Sequence, residues 1–557
     1  MAHPSKPARG KPRAQATKTS VWHFLVLGAV TALLFVLYLA TELRRNSQIG
    51  FPLDDPWIHL TFARNLAHGW GFVFNQGHWV AGSSAPLWTI VLAFFHLFTS
   101  SATVMVLIVK LLDAAFLVVA AGYALLIASR LSHNRWAGLS AGLAVVSLWP
   151  MGWAMMSGME VTLSVALTLA GIYYYLVPGP GWKAYVPWVL FGLAVYTRPE
   201  CLALPVLAAL DGLLQRWAFN QRRMVWRGLG AWFVTALPYF VFNLALTGSP
   251  FPQTFTAKVG PVSAFAVLQS GDAAAIVRLV AGRWPAYVAQ YVTFLWRVNP
   301  MLTLLLPTGL VGLVMNTFRH SKNDGFLVPL VILGYVPLMG VAAPVFQPAF
   351  QSGRYVGNVT ALAAVASVLG ILFLGALMRG RAVRAAFTGL LASLLVFNAV
   401  SLAIAHARNT ARATSSINRM QVYLGHWLAD NTPTAATLAC NDIGAIGYFS
   451  HRRIIDLAGL ITRDILRYRF MPGGRGRFIV DTKPDFLVIF PEAFPELEGA
   501  PFLDTIKVVE VPDNTASLYD VVPRLRTWAR VLVLDEFMES VPVATVVYRC
   551  NWNALPR

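Results

Sequence analysis

The chain has 557 residues, of which 57% are hydrophobic and 12% charged, well below the roughly 25% charged of an ordinary soluble domain. This composition argues against a soluble enzyme and for a lipid solvent. The net charge of +19, from 44 basic and 25 acidic residues, does not point to nucleic acid, because the basic residues sit in links between apolar runs, where membrane topology puts them.

Met1–Ser20 carries Lys6, Arg9, Lys11, Arg13 and Lys18 and no acid, which marks a cytoplasmic arm by the positive-inside rule. The first apolar run, Trp22–Ala40, has no small-residue cleavage site after it and reads as a retained helix. Ten more runs follow: Val104–Ala128, Trp136–Met155, Val161–Tyr175, Tyr185–Tyr196, Leu202–Leu214, Leu229–Leu246, Leu302–Met315, Phe326–Ala342, Tyr355–Leu377 and Ala386–Ala405. A bilayer takes about 20 apolar residues per helix, so the expectation is an α-helical polytopic protein of the cell membrane with about eleven transmembrane helices. Alternating sides from a cytoplasmic N-terminus puts the links holding Arg130, Lys183, Arg222, Arg319 and Arg381 inside. The same alternation puts Thr41–Ser84, Met156–Glu160, Thr197–Glu200, Thr247–Pro300, Ala343–Arg354 and everything after His406 outside.

The organisation read from this is a basic arm (1–20), a transmembrane domain (21–406) with interfacial helices in the 41–98 region, and a soluble extracytoplasmic α/β domain (407–557). In that last part Met420–Asp430 reads as a helix. The short runs 436–440, 453–457, 486–490, 506–511, 517–521 and 541–548 read as strands or core segments. In the first loop, Pro56–Gly69 has Ile58, Phe62 and Leu66 at helical spacing, and Pro86–Phe98 reads as a second helix of the same kind. Lys110 and Asp113, three apart in one apolar run, are expected to neutralise each other. An oxidising compartment permits a bridge between Cys440 and Cys550, which spacing alone does not establish.

The sharpest chemical feature is the adjacent pair Asp54 and Asp55, just before Pro56. One Asp there is a helix cap; the second is then unexplained. A carboxylate shielded from water gains proton affinity and serves as a general base. His59 lies one turn on. Glu160, Arg198, Lys258 and Arg354 come from four separate segments, yet all fall on the expected outer side. Lys258, Arg198 and Arg354 are candidates for holding an anionic phosphate, with Arg suited to bidentate contact; snorkelling to headgroups is the alternative for each. Glu160 either orients an acceptor or pairs with one of these cations. Trp57, Trp70, Trp79 and Trp88 either stack on sugar rings or form an interfacial belt.

Several segments together resemble a known family: FPLDDPWIHLTFARNLAHGWGFVFNQGHWVAGSSAPLW (51–88), SGME (157–160), YTRPE (196–200), TGSPFPQTFTAK (247–258), Arg354–Tyr355 and DIGAIGYFSHRRIIDLAGL (442–460). They resemble the GT-C superfamily of polyprenyl-phosphate-sugar glycosyltransferases, and within it the mycobacterial terminal arabinofuranosyltransferase family. The resemblance implies a GT-C-like fold and an inverting transfer of a sugar, arabinofuranose in the nearest family, from a polyprenyl-phosphate donor to a hydroxyl of a cell-envelope glycan on the extracytoplasmic face. It implies Asp54 or Asp55 as base. His59 stands where that family leads one to expect a small polar residue. A phosphate monoester leaves without a proton, so no cofactor or metal is required; a divalent cation bridging Asp54 and Asp55 is the alternative. The C-terminal domain is read as a module that positions the glycan acceptor over the membrane site. The rival reading is a transporter or flippase of a lipid-linked or small anionic substrate, which would keep ionisable residues within the spans; a receptor acting through the C-terminal domain is a third.

Overall fold

The computed structural model describes residues 19–214, 219–259, 264–269, 271–319, 326–343, 347–469, 471–511 and 543–554. The helices in chain order are α1 (Val21–Arg45), α2 (Asp55–Ala67), α3 (Pro86–His96), α4 (Ala102–Ser132), α5 (Arg135–Ser147), α6 (Trp149–Ser157), α7 (Val161–Leu176), α8 (Val186–Val195) and α9 (Ala203–Leu214). There follow α10 (Phe219–Thr247), α11 (Gln253–Val259), α12 (Ala264–Gln269), α13 (Ala273–Val298), α14 (Pro300–Arg319), α15 (Leu327–Ala342), α16 (Gly357–Ala376) and α17 (Arg381–Ile417). The C-terminal part adds α18 (Tyr423–Asn431), β1 (Thr437–Cys440), α19 (Gly444–Ser450), β2 (Arg453–Asp456), α20 (Gly474–Thr482), β3 (Phe486–Ile489), β4 (Leu503–Val511) and β5 (Val543–Cys550). The basic arm up to residue 18 and the run 517–521 lie outside the described residues.

Ten of the eleven apolar runs each coincide with one helix, and Trp136–Met155 spans two, α5 and α6. Among the described residues, α1, α4, α10, α14, α16 and α17 are long and apolar enough to cross a membrane, and α5 with α6, bent by 57° at their break, makes a seventh. The bend falls at Leu148, where Pro150 in the first turn of α6 supplies no amide to continue α5. Three shorter apolar helices, α3, α7 and α15, lie among them. The chain is a multi-pass membrane protein.

One long helix was not legible from hydropathy. The expected external loop 247–300 holds the 26-residue α13. Its buried residues Leu279, Tyr287, Tyr291, Phe294, Leu295 and Val298 recur at helical spacing while Arg278, Arg283 and Arg297 interrupt the run, an amphipathic pattern that a hydropathy window averages away. Helix α2 forms as expected, and its faces are covered by protein. Nearly all of its residues from Pro56 to Asn65 are buried, packed against α3 and α19.

The C-terminal part is an α/β domain with a five-stranded sheet in the order β2-β1-β3-β5-β4. The first three strands are parallel and β5 runs antiparallel to both β3 and β4. Cys440 on β1 and Cys550 on β5 are separated by β3 and are free thiols. A π turn at Asn418–Val422 joins α17 to α18, giving one continuous 51-residue helix from Arg381 to Asn431 that ties this domain to the membrane helices.

The expected pairing of Lys110 with Asp113 does not form. Lys110 donates instead to both oxygens of Glu42 at the end of α1, at 2.7 and 2.6 Å, and Asp113 accepts from the Thr162 hydroxyl at 2.6 Å. Glu42 also accepts from the Gly50 amide at 2.9 Å, so this pair fixes where the first loop leaves the membrane region. Removing one partner strands a buried charge, which costs about 3–5 kcal/mol. Lys110→Met is therefore expected to lower the melting temperature of the purified protein sharply, and Glu42→Gln added to it to recover most of the loss; a double variant no better than the single one would show that the pair is not coupled.

Candidate active site

The two adjacent acids have different partners. Asp54, the residue before α2, accepts from the backbone amides of Gly444 and Ala445 at 2.6 and 2.7 Å, so its carboxylate is spent on the first turn of α19 in the C-terminal domain. Asp55, one residue on, faces Arg354 at 3.0 Å and Lys258 at 3.9 Å, with a quarter of its side chain (26%) still exposed. Burial would raise its proton affinity, as the sequence suggests, but Lys258 and Arg354 outweigh it and bring the carboxyl down to about 2. The expectation of a raised affinity is corrected: two cations hold Asp55 ionised.

Arg354 is presented by an unusual turn. Gln351, Ser352 and Gly353 have φ of 46°, 58° and 80° in succession, and two of them are non-glycine residues in the left-handed region, a conformation that persists only where the surroundings impose it. Gly353 is needed for space as well, since a Cβ there would stand 2.2 Å from the Phe294 ring. The guanidinium is buried, and its Nε and Nη1 have no hydrogen-bond partner. Nη2 donates to the Tyr355 hydroxyl at 3.0 Å. The guanidinium carbons of Arg198 and Arg354 stand 4.6 and 5.0 Å from the centre of the Tyr355 ring.

Arg198 is differently occupied. It donates to Glu160 at 2.6 Å and to Glu200, two carboxylates that leave it little charge to offer a phosphate. Glu160 pairs with Arg198, one of the two roles the sequence leaves open for it. His59 stands between the two halves, with Nδ1 3.0 Å from the Ser83 hydroxyl and Nε2 3.5 Å from Glu160; burial lowers its proton affinity more than Glu160 raises it, so the ring is neutral at pH 7. Trp57 is buried, with its ring packed against Phe51, Tyr448 and Phe449, so it sits in the joint between the first loop and the C-terminal domain. Trp70 and Trp79 are exposed.

Asp55, Lys258 and Arg354 thus meet at one point, and Glu160, Arg198 and His59 meet beside them. Sequence reasoning missed Glu200, which stands within YTRPE, and Ser83, whose small hydroxyl carries no signal. Asp54 and Asp55 do not face a common ion, and among the described residues no group of three His, Cys, Asp or Glu gathers as a metal site. A divalent cation at Asp55 would compete with Arg354 and Lys258 for its carboxylate.

The family model "Domain of unknown function (DUF8728)" matches residues 411–541, and no curated protein matches. Among solved structures, ArnT from Cupriavidus metallidurans bound to undecaprenyl phosphate is similar at 13% identity with a TM-score of 0.56, over 97% of this chain and 100% of that one. The archaeal oligosaccharyltransferase AglB from Archaeoglobus fulgidus, in complex with an inhibitory peptide and a dolichol-phosphate, is similar at 13% identity with a TM-score of 0.58, over 90% of this chain and 75% of that one. The fold is that of the GT-C membrane glycosyltransferases. Arabinosyltransferase EmbB from Mycobacterium smegmatis aligns over 91% of this chain and 48% of that one at 13% identity with a TM-score of 0.36, too loosely to bear on the sugar.

The turn before Arg354 gives a direct test. Gly353→Ala places a methyl against Phe294 in a conformation that Ala resists, costing on the order of 1–3 kcal/mol. It is expected to lower thermal stability and to displace Arg354, and a variant as stable as the parent would show that the turn is not constrained.

Proposed function

We propose that this GT-C-fold protein is a glycosyltransferase that moves a sugar, with inversion, from a polyprenyl-phosphate donor to a hydroxyl of a cell-envelope glycan on the extracytoplasmic face. The observation that carries the reading is Arg354: a buried guanidinium with two unmet donors, held beside a carboxylate, is arranged for an anion with several oxygens. The lipid phosphates bound to the similar ArnT and AglB structures agree with that chemistry. Arabinofuranose is the sugar favoured by the sequence resemblance.

In the reaction, the bond from the anomeric carbon to the phosphate oxygen breaks and its electron pair stays on the phosphate. The acceptor oxygen bonds to that carbon from the opposite side and gives up its proton to Asp55. Arg354 and Lys258 stabilise the charge that grows on the leaving phosphate. They are also the two cations that hold the Asp55 carboxyl down, so a phosphate that engages them removes that hold. Burial then dominates, and Asp55 becomes a better base only when donor is in place. Glu160 and Glu200 keep Arg198 neutralised against Tyr355, and neutral His59 contributes a hydrogen bond without charge. The C-terminal domain packs against the loop carrying Asp55, where an acceptor glycan would be presented.

Purified protein offered a panel of polyprenyl-phosphate sugars tests the reading. Asp55→Asn is expected to cut turnover by about 10²-fold or more while binding donor at least as tightly, because the competing carboxylate is gone. Loss of donor binding in that variant would contradict the assignment. A base must be unprotonated, so its rate falls as pH drops through its pKa. An acid limb from Asp55 is expected in kcat, which reports the donor complex, and not in kcat/KM for the donor, which reports the free protein with Asp55 near 2.

A further inference from the structure

Among the described residues, the C-terminal domain makes polar contacts with both of the segments that build the site. On the first loop, the Asp54 carboxylate takes the Gly444 and Ala445 amides. Arg64 donates to the Tyr448 carbonyl at 2.9 Å and lies 4.6 Å over its ring. Asn75 donates to the Ile454 carbonyl at 2.8 Å and accepts from the Ile454 amide at 2.9 Å, as a strand neighbour would. On the other segment, buried Gln253 donates to the Gly459 carbonyl at 2.9 Å, while its own amide donates to Ala81 at 3.1 Å. Gln253 opens α11, the helix whose last turn carries Lys258.

The contact between Asp54 and Gly444 requires its residue types. Gly444 approaches Asp54 so closely that a Cβ would stand 2.1 Å from the Asp54 carbonyl oxygen, and only a short acidic side chain accepts from two consecutive amides at that range. The turn that carries Gly459 is itself tied by Asp456, whose carboxylate accepts from the Ala458, Leu460 and Ile461 amides. The domain therefore meets the site through a rigid edge.

We propose that the C-terminal domain is a working part of the catalytic centre: through Asp54 it holds Asp55 in place, and through Gln253 it holds the helix bearing Lys258. Asp54 and Gln253 are positioning residues, which act through Asp55 and Lys258 respectively. The inference rests on the reading of Asp55 as base and Lys258 as phosphate cation. It separates the two acids by role, so that adjacent Asp residues differ in what their loss does.

The test uses the full chain in lipid nanodiscs, with Asp54→Ala, Asp54→Asn, Gly444→Ala and Gln253→Ala compared with the parent and with Asp55→Asn. A hydrogen bond to a charged acceptor is worth enough that its loss speeds amide exchange by roughly tenfold or more. Exchange of the peptide containing Gly444 and Ala445 is expected to accelerate in Asp54→Ala and not in Asp55→Asn. Turnover in Asp54→Ala is expected to fall about tenfold at nearly unchanged donor KM, with Gly444→Ala giving the same signature from the other side of the joint and Asp54→Asn, which keeps one acceptor oxygen, falling between. Gln253→Ala is expected to raise donor KM several-fold and to lower kcat with it, since Lys258 both holds the donor phosphate and stabilises the charge that grows on it. A simple loss of folded protein also lowers apparent turnover at unchanged KM, so rates are taken per donor-binding site, and only a defect within the folded protein then lowers kcat. Should Asp54→Ala not fold, Asp54→Asn and Gly444→Ala carry the same comparison. The proposal is overturned if exchange at Gly444 and Ala445 is the same in Asp54→Ala as in the parent, or if Asp54→Asn is as inactive as Asp55→Asn while Gly444→Ala is normal. A parent protein that transfers no sugar would sink the functional reading alone, and the exchange arms would still decide the joint.

Discussion

A buried guanidinium has to be answered by negative charge, and among the described residues Asp55 is the one carboxylate within ion-pair distance of Arg354. The rest of the site follows from that imbalance. Three cations (Arg198, Arg354, Lys258) meet three carboxylates (Asp55, Glu160, Glu200), so the cluster is neutral as a whole but unevenly divided. Arg198 has two partners and Arg354 shares one with Lys258. Since a buried charge without full hydrogen bonding is costly, the under-satisfied half is where an incoming anion gains most, and the saturated half is the scaffold against which Tyr355 is oriented.

That division also explains why two neighbouring aspartates differ. Asp54 and Asp55 have the same intrinsic chemistry and nearly the same place in the chain, but one points into the first turn of α19 and the other into the cations. Backbone amides and guanidinium groups both favour the ionised form. The difference is exchangeability: the Gly444 and Ala445 amides are fixed by the fold of another domain, whereas Arg354 and Lys258 can be taken up by a phosphate.

Much of this was readable from residue types. The eleven apolar runs are helices because uniform hydrophobicity over such lengths admits little else in lipid, and the five sheet strands follow from short β-branched runs between glycines. Asp55, Lys258 and Arg354 were legible because charge in a lipid-facing protein has to be accounted for, and the expected alternation of sides grouped their segments. What was not legible depended on direction. Lys110 lies three residues from Asp113, yet its long side chain reaches Glu42 on α1; sequence spacing gives neighbours on one helix and is silent about the next. Helix α13 was missed because its arginines dilute an apolar face that only periodicity reveals. The sign of the Asp55 shift was missed because burial, which sequence suggests, and neighbouring cations, which only packing fixes, pull in opposite directions.

The contacts that hold the site are continuous with those that hold the fold. Glu42 ties the end of α1 to Lys110 on α4 and to the Gly50 amide, four residues before Asp54. Asp54 is then tied to α19, and α19 packs against α18, the end of the 51-residue helix that begins among the membrane helices. The loop bearing Asp55 is therefore pinned at its root by a buried ion pair and at its tip by the C-terminal domain, which is itself anchored through one unbroken helix. A short, doubly pinned segment has few conformations to lose when substrate binds, so the ordering cost is met in folding and not in binding. The residue left free to respond is Asp55, and the groups that set its proton affinity are those a phosphate would engage.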